Sequence, residues 1–315
     1  MTPSSRASLV KDETRKTCPA EPLTTRQEQV VAQTQPTARA RLVASTMRKL
    51  RASAGLSQAE VAKEMGWSKS KQEKLEAGNL GVRPSDARAL CSLYGVTDPQ
   101  RVKDLVDLAK RSRIPGWWSA YGLGAVPGWF EPYISLESEA SSLRVYQQEL
   151  IHGLLQTPEY ARSVVRAFAP RATDEEVDQR VDVRMQRQAR LEGESPLALW
   201  VILNEAALRR PIEERGAWRA QLRYLLERCE LPNVSLQVLP FAAGPHASME
   251  SSYELMGFPE SADLNVLYLE AGQASSYHED SVIIGQYTDV FDHLRGQALD
   301  TRRSSDFVAH VLQEV

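Results

Sequence analysis

The stretch Leu56-Ser57-Gln58-Ala59-Glu60-Val61-Ala62-Lys63-Glu64-Met65-Gly66-Trp67-Ser68-Lys69-Ser70-Lys71-Gln72-Glu73-Lys74-Leu75-Glu76-Ala77-Gly78 reads as two short helices joined by a glycine turn. Ser57 is placed to N-cap the first helix, with Glu60 three residues on to complete a capping box. Val61, Ala62 and Met65 recur at helical spacing and give that helix one apolar side. Gly66 frees the turn from the constraint of a Cβ. Ser68 caps the second helix, Leu75 turns inward, and Gly78 stands where a glycine favours helix termination. Lys69, Ser70, Lys71 and Lys74 gather on the opposite side. A tight turn between two helices, the second polar and basic, matches the pattern that enters a DNA groove. The competing reading is a helical hairpin that binds protein.

The segment resembles the Cro/cI-type helix-turn-helix of the xenobiotic-response-element (XRE) family. The matching positions are Gln58, the small Ala62 at the helix crossing, Gly66 and the closing Leu75-Glu76-Ala77-Gly78. The resemblance implies that Gln58 touches or orients a phosphate. It also implies that Ser68, Lys69, Ser70, Lys71 and Lys74 form the DNA-contacting turn, on a homodimer that reads a pseudo-palindromic double-stranded operator. Gln72 departs from the family, which has a branched apolar residue there. If its amide lacks a partner, Gln72→Val is expected to stabilise the domain by about 1 kcal/mol; a drop in melting temperature would mean that Gln72 makes a needed hydrogen bond, to DNA or to Glu76.

Charge is divided along the 315 residues. From Ala40 to Arg113 there are 15 Lys and Arg against 8 Asp and Glu. From Ile114 onward 17 Arg face 29 acids, without one Lys. A basic module on an acidic body confines nucleic-acid contact to one end; Arg-rich, Lys-poor composition also follows from a GC-rich genome. No apolar run reaches transmembrane length and no continuous apolar segment opens the chain, which predicts a cytoplasmic protein without membrane contact. Cys18, Cys91 and Cys229 lack metal-ligand spacing and fit ordinary reduced thiols, so no metal and no cofactor is expected.

The pattern predicts a mainly α, five-helix helix-turn-helix domain over 40–113, then an aromatic Gly/Pro-rich connector over 114–133. A C-terminal α+β (mixed α/β) domain is expected over 134–315. Residues 1–39 read as a disordered extension: a basic arm into DNA is the alternative, but Asp12, Glu13, Glu21 and Glu28 dilute its charge. Around the motif, helices are expected at 40–54, at 83–94 with a cap near Ser85, and from Asp98-Pro99. The second domain should hold helices at 136–151, 158–168, 173–191, 215–229, 282–299 and 304–312. Strands are expected at 197–203, 234–239, 252–258 and 264–269.

The connector holds Trp117, Trp118, Trp129 and Phe130. A solvated linker has no use for such apolar area. Either the loop packs onto the second domain and fixes its angle, or these four residues line a ligand or partner groove, between the two domains. Arg180, Arg184, Arg187 and Arg190 recur along one predicted helix, as a solvated or salt-bridged face or as an anion site.

Successive blocks carry a second resemblance: Trp117-Trp118, Leu136 to Ala140, Gly153-Leu154-Leu155-Gln156-Thr157-Pro158, Arg184 with Arg187-Gln188, Asn204 to Pro211, Gln221 to Leu225, Pro232 to Val234 and Val238 to Phe241. They are similar to the WhiJ-like group of actinobacterial regulators, over roughly residues 40–310. There an XRE-type helix-turn-helix precedes a C-terminal domain of unknown function. His152 departs from the group, which has a proline before the Gly-Leu-Leu-Gln-Thr block. The resemblance implies a transcription regulator whose second domain senses a ligand or a small protein partner encoded nearby. The alternative is an antitoxin-like interaction module that neutralises such a partner, with DNA binding secondary.

No nucleophile elbow, zinc-protease helix, phosphate loop or dinucleotide fingerprint occurs in the sequence. Glu205, His246, Glu250, Glu270, His278 and Glu279 fall at predicted strand ends or loops and could converge, but exposed loops ordinarily collect such residues. The expectation is a protein without a catalytic site.

Overall fold

Ala38–Ser53 form the first helix, α1, and Leu42, Val43 and Met47 on one side of it are buried. The computed structural model describes residues 38–113, 116–121, 125–258, 265–271 and 274–315. The expected N-terminal extension through residue 37 lies outside the described residues, as does Cys18. Around α1 pack α2 (Gln58–Glu64), α3 (Lys69–Glu76), α4 (Pro84–Leu93) and α5 (Pro99–Arg111). The Asp98 side chain accepts from the Gln100 N–H at 3.0 Å and starts α5. The expected cap at Ser85 is corrected: α4 starts from Arg83 without a side-chain cap and carries Pro84 at its first position. Proline's fixed φ suits that position and its missing N–H removes one orphan donor.

A short 3₁₀ turn at Trp117–Tyr121 precedes α6 (Glu131–Glu139). The helix expected over 136–151 is the main correction, because α6 ends at Glu139 and Ser142–Gln147 form β1, at the centre of the sheet. Leu143 and Val145 are buried while Arg144 between them is exposed, an alternation that belongs to a strand. The chain continues through α7 (Pro158–Phe168), α8 (Asp174–Arg187), β2 (Ala198–Asn204) and a short α9 (Glu205–Arg209) that the sequence reading omits. Then come α10 (Arg215–Arg228), β3 (Val234–Leu239), β4 (Tyr253–Gly257), β5 (Val266–Ala271) and β6 (Ala274–His278). The edge strand β6 is also a surprise, since Ala-Ser-Ser-Tyr-His has no apolar run. Helices α11 (Ser281–Gln297) and α12 (Thr301–Glu314) close the domain.

The six-stranded sheet has the order β3-β2-β1-β4-β5-β6. β1, β2 and β3 pair in parallel, Val145 opposite Val201 and Val201 opposite Leu236. Parallel neighbours require long crossovers, which α7–α8 and α9–α10 supply. β4, β5 and β6 follow antiparallel. One face carries Val145, Val201, Leu236 and Met256 into the larger core, while Tyr146, Ile202, Leu255 and Leu267 on the other pack with Ile284, Phe291 and Leu294 of α11. The result is a helical helix-turn-helix region followed by a mixed α/β domain, the expected class.

The larger core runs without a break from Val43, Val61 and Leu90 through Tyr133 and Ile134 to the sheet. The junction is polar at its rim: Arg39 of α1 pairs with Glu139 of α6 at 2.7 Å and donates to Ser138 Oγ at 3.3 Å. Arg111 of α5 reaches Glu139 at 3.7 Å.

Candidate functional site

In the helix-turn-helix, Ser57 and Glu60 form the reciprocal capping box, and Ser68 accepts from the Lys71 N–H. Gly66 has φ +65° and its N–H bonds Lys63 O, while the Trp67 N–H bonds Ala62 O at 2.7 Å. That pair of bonds closes α2 with a left-handed residue in the turn, the conformation that favours glycine.

The base of α3 is locked by one carboxylate. Glu76, 4 % exposed, receives Arg51 Nε at 2.6 Å and Arg51 Nη2 at 2.9 Å. It also accepts from Gln58 Nε2 at 2.8 Å and from Gln72 Nε2 at 2.7 Å. Burial alone would raise the Glu76 pKa, but the hydrogen bonds from Arg51, Gln58 and Gln72 outweigh it and hold the carboxyl below its ordinary value. The expectation for Gln72 changes. Gln72 is not a poorly seated apolar substitute, because its amide bridges one turn to Glu76 inside the core. Gln58 is bound to the same carboxylate, so the geometry ties it to the seating of α3. Gln72→Val is therefore expected to lower the melting temperature and to cost about 1–2 kcal/mol, since it leaves one lobe of Glu76 short of a donor. A variant that melts at or above the wild-type temperature would show that this bond contributes nothing.

Ser68, Lys69, Ser70 and Lys74 are exposed on the outer side of α3. Lys71 is partly withdrawn, its Nζ 3.7 Å from the Trp67 ring centre and 3.6 Å from Asp86 Oδ2. Lys69 has Glu73 at 3.7 Å, an exposed pair that water and salt weaken.

The four connector aromatics divide into two pairs. Trp118 is buried and donates to Glu131 Oε1 at 3.2 Å, and Trp117 packs edge-on against it and against Tyr121. Trp129 and Phe130 instead line a cavity of about 680 Å³ between α7, α8 and the sheet. The groove expected from all four is thus reduced to its second pair.

The wall of that cavity is a buried polar network. Arg187, 4 % exposed, makes two bonds to Glu137, Nε to Oε1 at 2.8 Å and Nη2 to Oε2 at 2.6 Å. Its guanidinium also lies 5.2 Å and 5.1 Å from the Phe130 and Tyr133 ring centres. Gly153 makes room for it, since a Cβ there would sit 3.3 Å from Arg187 Nη1. The Tyr133 hydroxyl donates to Glu254 Oε2 at 2.7 Å, and His152 Nε2 lies 3.3 Å from Glu254 Oε1. Burial would raise the Glu254 pKa, but His152, Tyr133 and Arg187 together hold it below its ordinary value. Tyr133 is pushed the other way by burial and by Glu137 and Glu254, and stays a neutral donor. Arg184 Nη1 donates to Gln156 Oε1 at 2.8 Å and also lines the cavity.

Sequence reasoning finds the arginine row but not its partners. Arg187 is the salt-bridged member, and Arg180 and Arg184 face the cavity rather than open solvent. Glu137, His152 and Glu254 come from three separate elements, and His152 alone carries a signal, as the departure from proline. The loop constellation does not assemble. Glu205 pairs with Arg209 and accepts from Phe241 N–H at 2.9 Å. His246 faces Tyr146 at 3.2 Å, His278 faces Ser276, Glu279 faces Arg48, and Glu250 is exposed. Glu270 alone reaches the cavity. Among the described residues no group of three or more His, Cys, Asp or Glu is placed to hold a metal ion. No described helix is long and apolar enough to cross a membrane.

Fold and site define a helix-turn-helix protein of XRE-like type with a mixed α/β domain behind it. Residues 42–103 match a helix-turn-helix domain, a class that suggests DNA binding. Residues 130–310, more than half of the chain, match the domain of unknown function DUF5753, and the chain belongs to that family. Neither a curated protein nor a solved structure matches it.

Proposed function

We propose that this protein is a sequence-specific, DNA-binding transcription regulator of the cytoplasm, WhiJ-like in organisation. The observation that carries the reading is α3 itself: its inner side is fixed through Glu76 to α1 and α2, and its outer side offers exposed Ser68, Lys69, Ser70 and Lys74. A pre-formed, basic helix end fits a major groove at low ordering cost. One such helix reads only a few base pairs, so a homodimer on half-sites about 34 Å apart is the arrangement that gives useful specificity.

Replacing Lys71 and Lys74 with Ala tests the reading in a mobility-shift titration across salt. Each lost phosphate contact lowers the log–log salt slope by about one. Lys74 should account for a full contact, and Lys71 for less because it also holds Asp86 and Trp67. An unchanged affinity and slope would overturn the assignment of α3 to DNA.

The second domain is read as effector-receiving rather than catalytic. Support comes from α6, one helix with two attachments: Tyr133 lines the cavity and Glu137 holds the cavity-lining Arg187, while Ser138 and Glu139 hold Arg39 and Arg111 of the helix-turn-helix region. A change at Arg187–Glu137 therefore acts on the helix that seats the DNA-binding unit. A small protein encoded nearby is a second class of effector, and an antitoxin-like pairing with it would use the same domain. Effector binding should change operator affinity by a coupling of about 1–3 kcal/mol.

A further inference from the structure

We propose that the cavity of the second domain takes an amphipathic organic anion, its head on Arg180 and Arg184 and its apolar body against Trp129, Phe130 and Phe168. The proposal rests on the reading of that domain as effector-receiving, and it names the ligand class. The volume of about 680 Å³ lies within the range of small-molecule sites. Part of the lining is apolar: Val164, Val165 and Phe168 of α7 together with Trp129, Phe130 and Leu150. Phe168 is 62 % exposed at the end of α7, a large ring left in contact with water on the cavity rim.

The charged groups of the lining fall into two sets. Most are already engaged within the protein. Arg187 is bound by Glu137, Glu254 by Tyr133 and His152, and Glu176 by the backbone and hydroxyl of Thr173. The remainder are Arg180 and Arg184, one helical turn apart on α8, with Glu270 of β5 and the exposed Arg171 at the rim. Arg184 has a neutral amide, Gln156, as its hydrogen-bond acceptor. Arg180 Nε is buried and has no hydrogen-bond partner among the described residues. Two guanidiniums supply up to ten N–H donors and stay charged at neutral pH. Glu270 is the one carboxylate of the lining left to face them, a single negative charge against two guanidiniums. Burial and the neighbouring Arg187 bring Arg184 down to about 10, against the opposing pull of Glu270. An anionic head supplies the missing acceptors. A neutral head leaves the guanidiniums as they are, and a cationic head adds to the surplus.

The test uses the full chain at pH 7.5 and three probes with one apolar tail: decanoate, decanol and decylamine, each followed by calorimetric titration. Charge-assisted hydrogen bonds to a guanidinium correspond to a factor of about ten or more in affinity. Decanoate should therefore bind at least tenfold tighter than decanol, and decylamine most weakly. The double variant Arg180→Gln/Arg184→Gln should bind decanoate and decanol alike. If that variant loses its fold, Arg180→Gln alone carries the test, because its Nε makes no bond to lose, and it should narrow the gap severalfold. The proposal is overturned if decanoate gains nothing over decanol, if decylamine binds best, or if the folded variants discriminate as the wild type does. Operator binding measured on the same samples separates the two levels. Decanoate that binds without changing DNA affinity leaves the ligand class standing and removes the effector reading. Absence of decanoate binding in a chain that still binds DNA removes the ligand class alone.

Discussion

Glu137→Ala is expected to destabilise the protein by about 3–5 kcal/mol, a large share of the stability of a typical domain. The reason is what the substitution leaves behind. Arg187 sits at 4 % exposure and spends two of its donors on Glu137. Without that carboxylate, a full positive charge stays in the core with a long bond to the Tyr133 hydroxyl at 3.4 Å, the Phe130 and Tyr133 rings and Glu254 to offset it. Replacing both partners by apolar residues of similar size, Glu137→Leu with Arg187→Met, should recover much of the loss, because no charge is then stranded. Urea unfolding of the wild type, both single variants and the double variant gives the coupling directly. A single-variant loss under about 1 kcal/mol would mean that water enters the cavity and solvates Arg187. Acid should act on the same network through Glu254. Its pKa in the folded protein lies below its ordinary value of 4.5. The stabilisation is thus complete above the unfolded-chain value and is lost as pH falls through the folded one, where the native state must take up the proton. Unfolding free energy should therefore fall below about pH 4.5 in the wild type.

The helix-turn-helix was legible because everything that defines it is local. The Ser57–Glu60 box, the Ser68 cap, the Gly66 turn and the Val61–Ala62–Met65 stripe lie within one short segment, and each acts on neighbours a turn away. The strand β1 was misread for the opposite reason. Leu136 to Ile151 has apolar residues at intervals compatible with a helix, and what selects the strand is pairing of Val145 with Val201 and Glu254, remote in the chain. Tertiary pairing overrides local spacing there. The cavity was half legible. Arginine at 180, 184 and 187 marks one side of α8, but a sequence cannot tell a row of arginines facing water from one facing Glu137 and a cavity. Gln72 was rightly singled out as an anomaly. Glu76, one turn further, is within reach of Gln72 by helical spacing alone; that Arg51 and Gln58 converge on the same carboxylate is not.

Glu76→Ala is expected to cost about 3 kcal/mol and to abolish operator binding while decanoate still binds the second domain. Three donors lose their acceptor at once: Arg51 from α1, Gln58 from α2 and Gln72 from α3 itself. Arg51 also donates to Leu56 O at 2.7 Å and can turn toward water, so the loss should sit at the lower end of the range for a broken buried pair. Gln72 cannot turn outward, because it is 1 % exposed. The α3 axis, not merely its stability, depends on this bond. A helix that reads base edges has to be held within a fraction of an ångström, so affinity should fall by more than the remaining folded fraction predicts. Glu76→Gln separates position from charge: its amide oxygen can still accept from Arg51, but its NH₂ meets the NH₂ of Gln58 or Gln72 donor to donor. It should fold better than Glu76→Ala and bind the operator worse than wild type. Hydrogen exchange of the α2 and α3 amides, compared with those of β1 and β2, reads the local effect. Equal protection in α3 with lost DNA binding would place Glu76 in the interface, whereas raised exchange confined to α1 to α3 is the result expected of a carboxylate whose work is to seat the recognition helix.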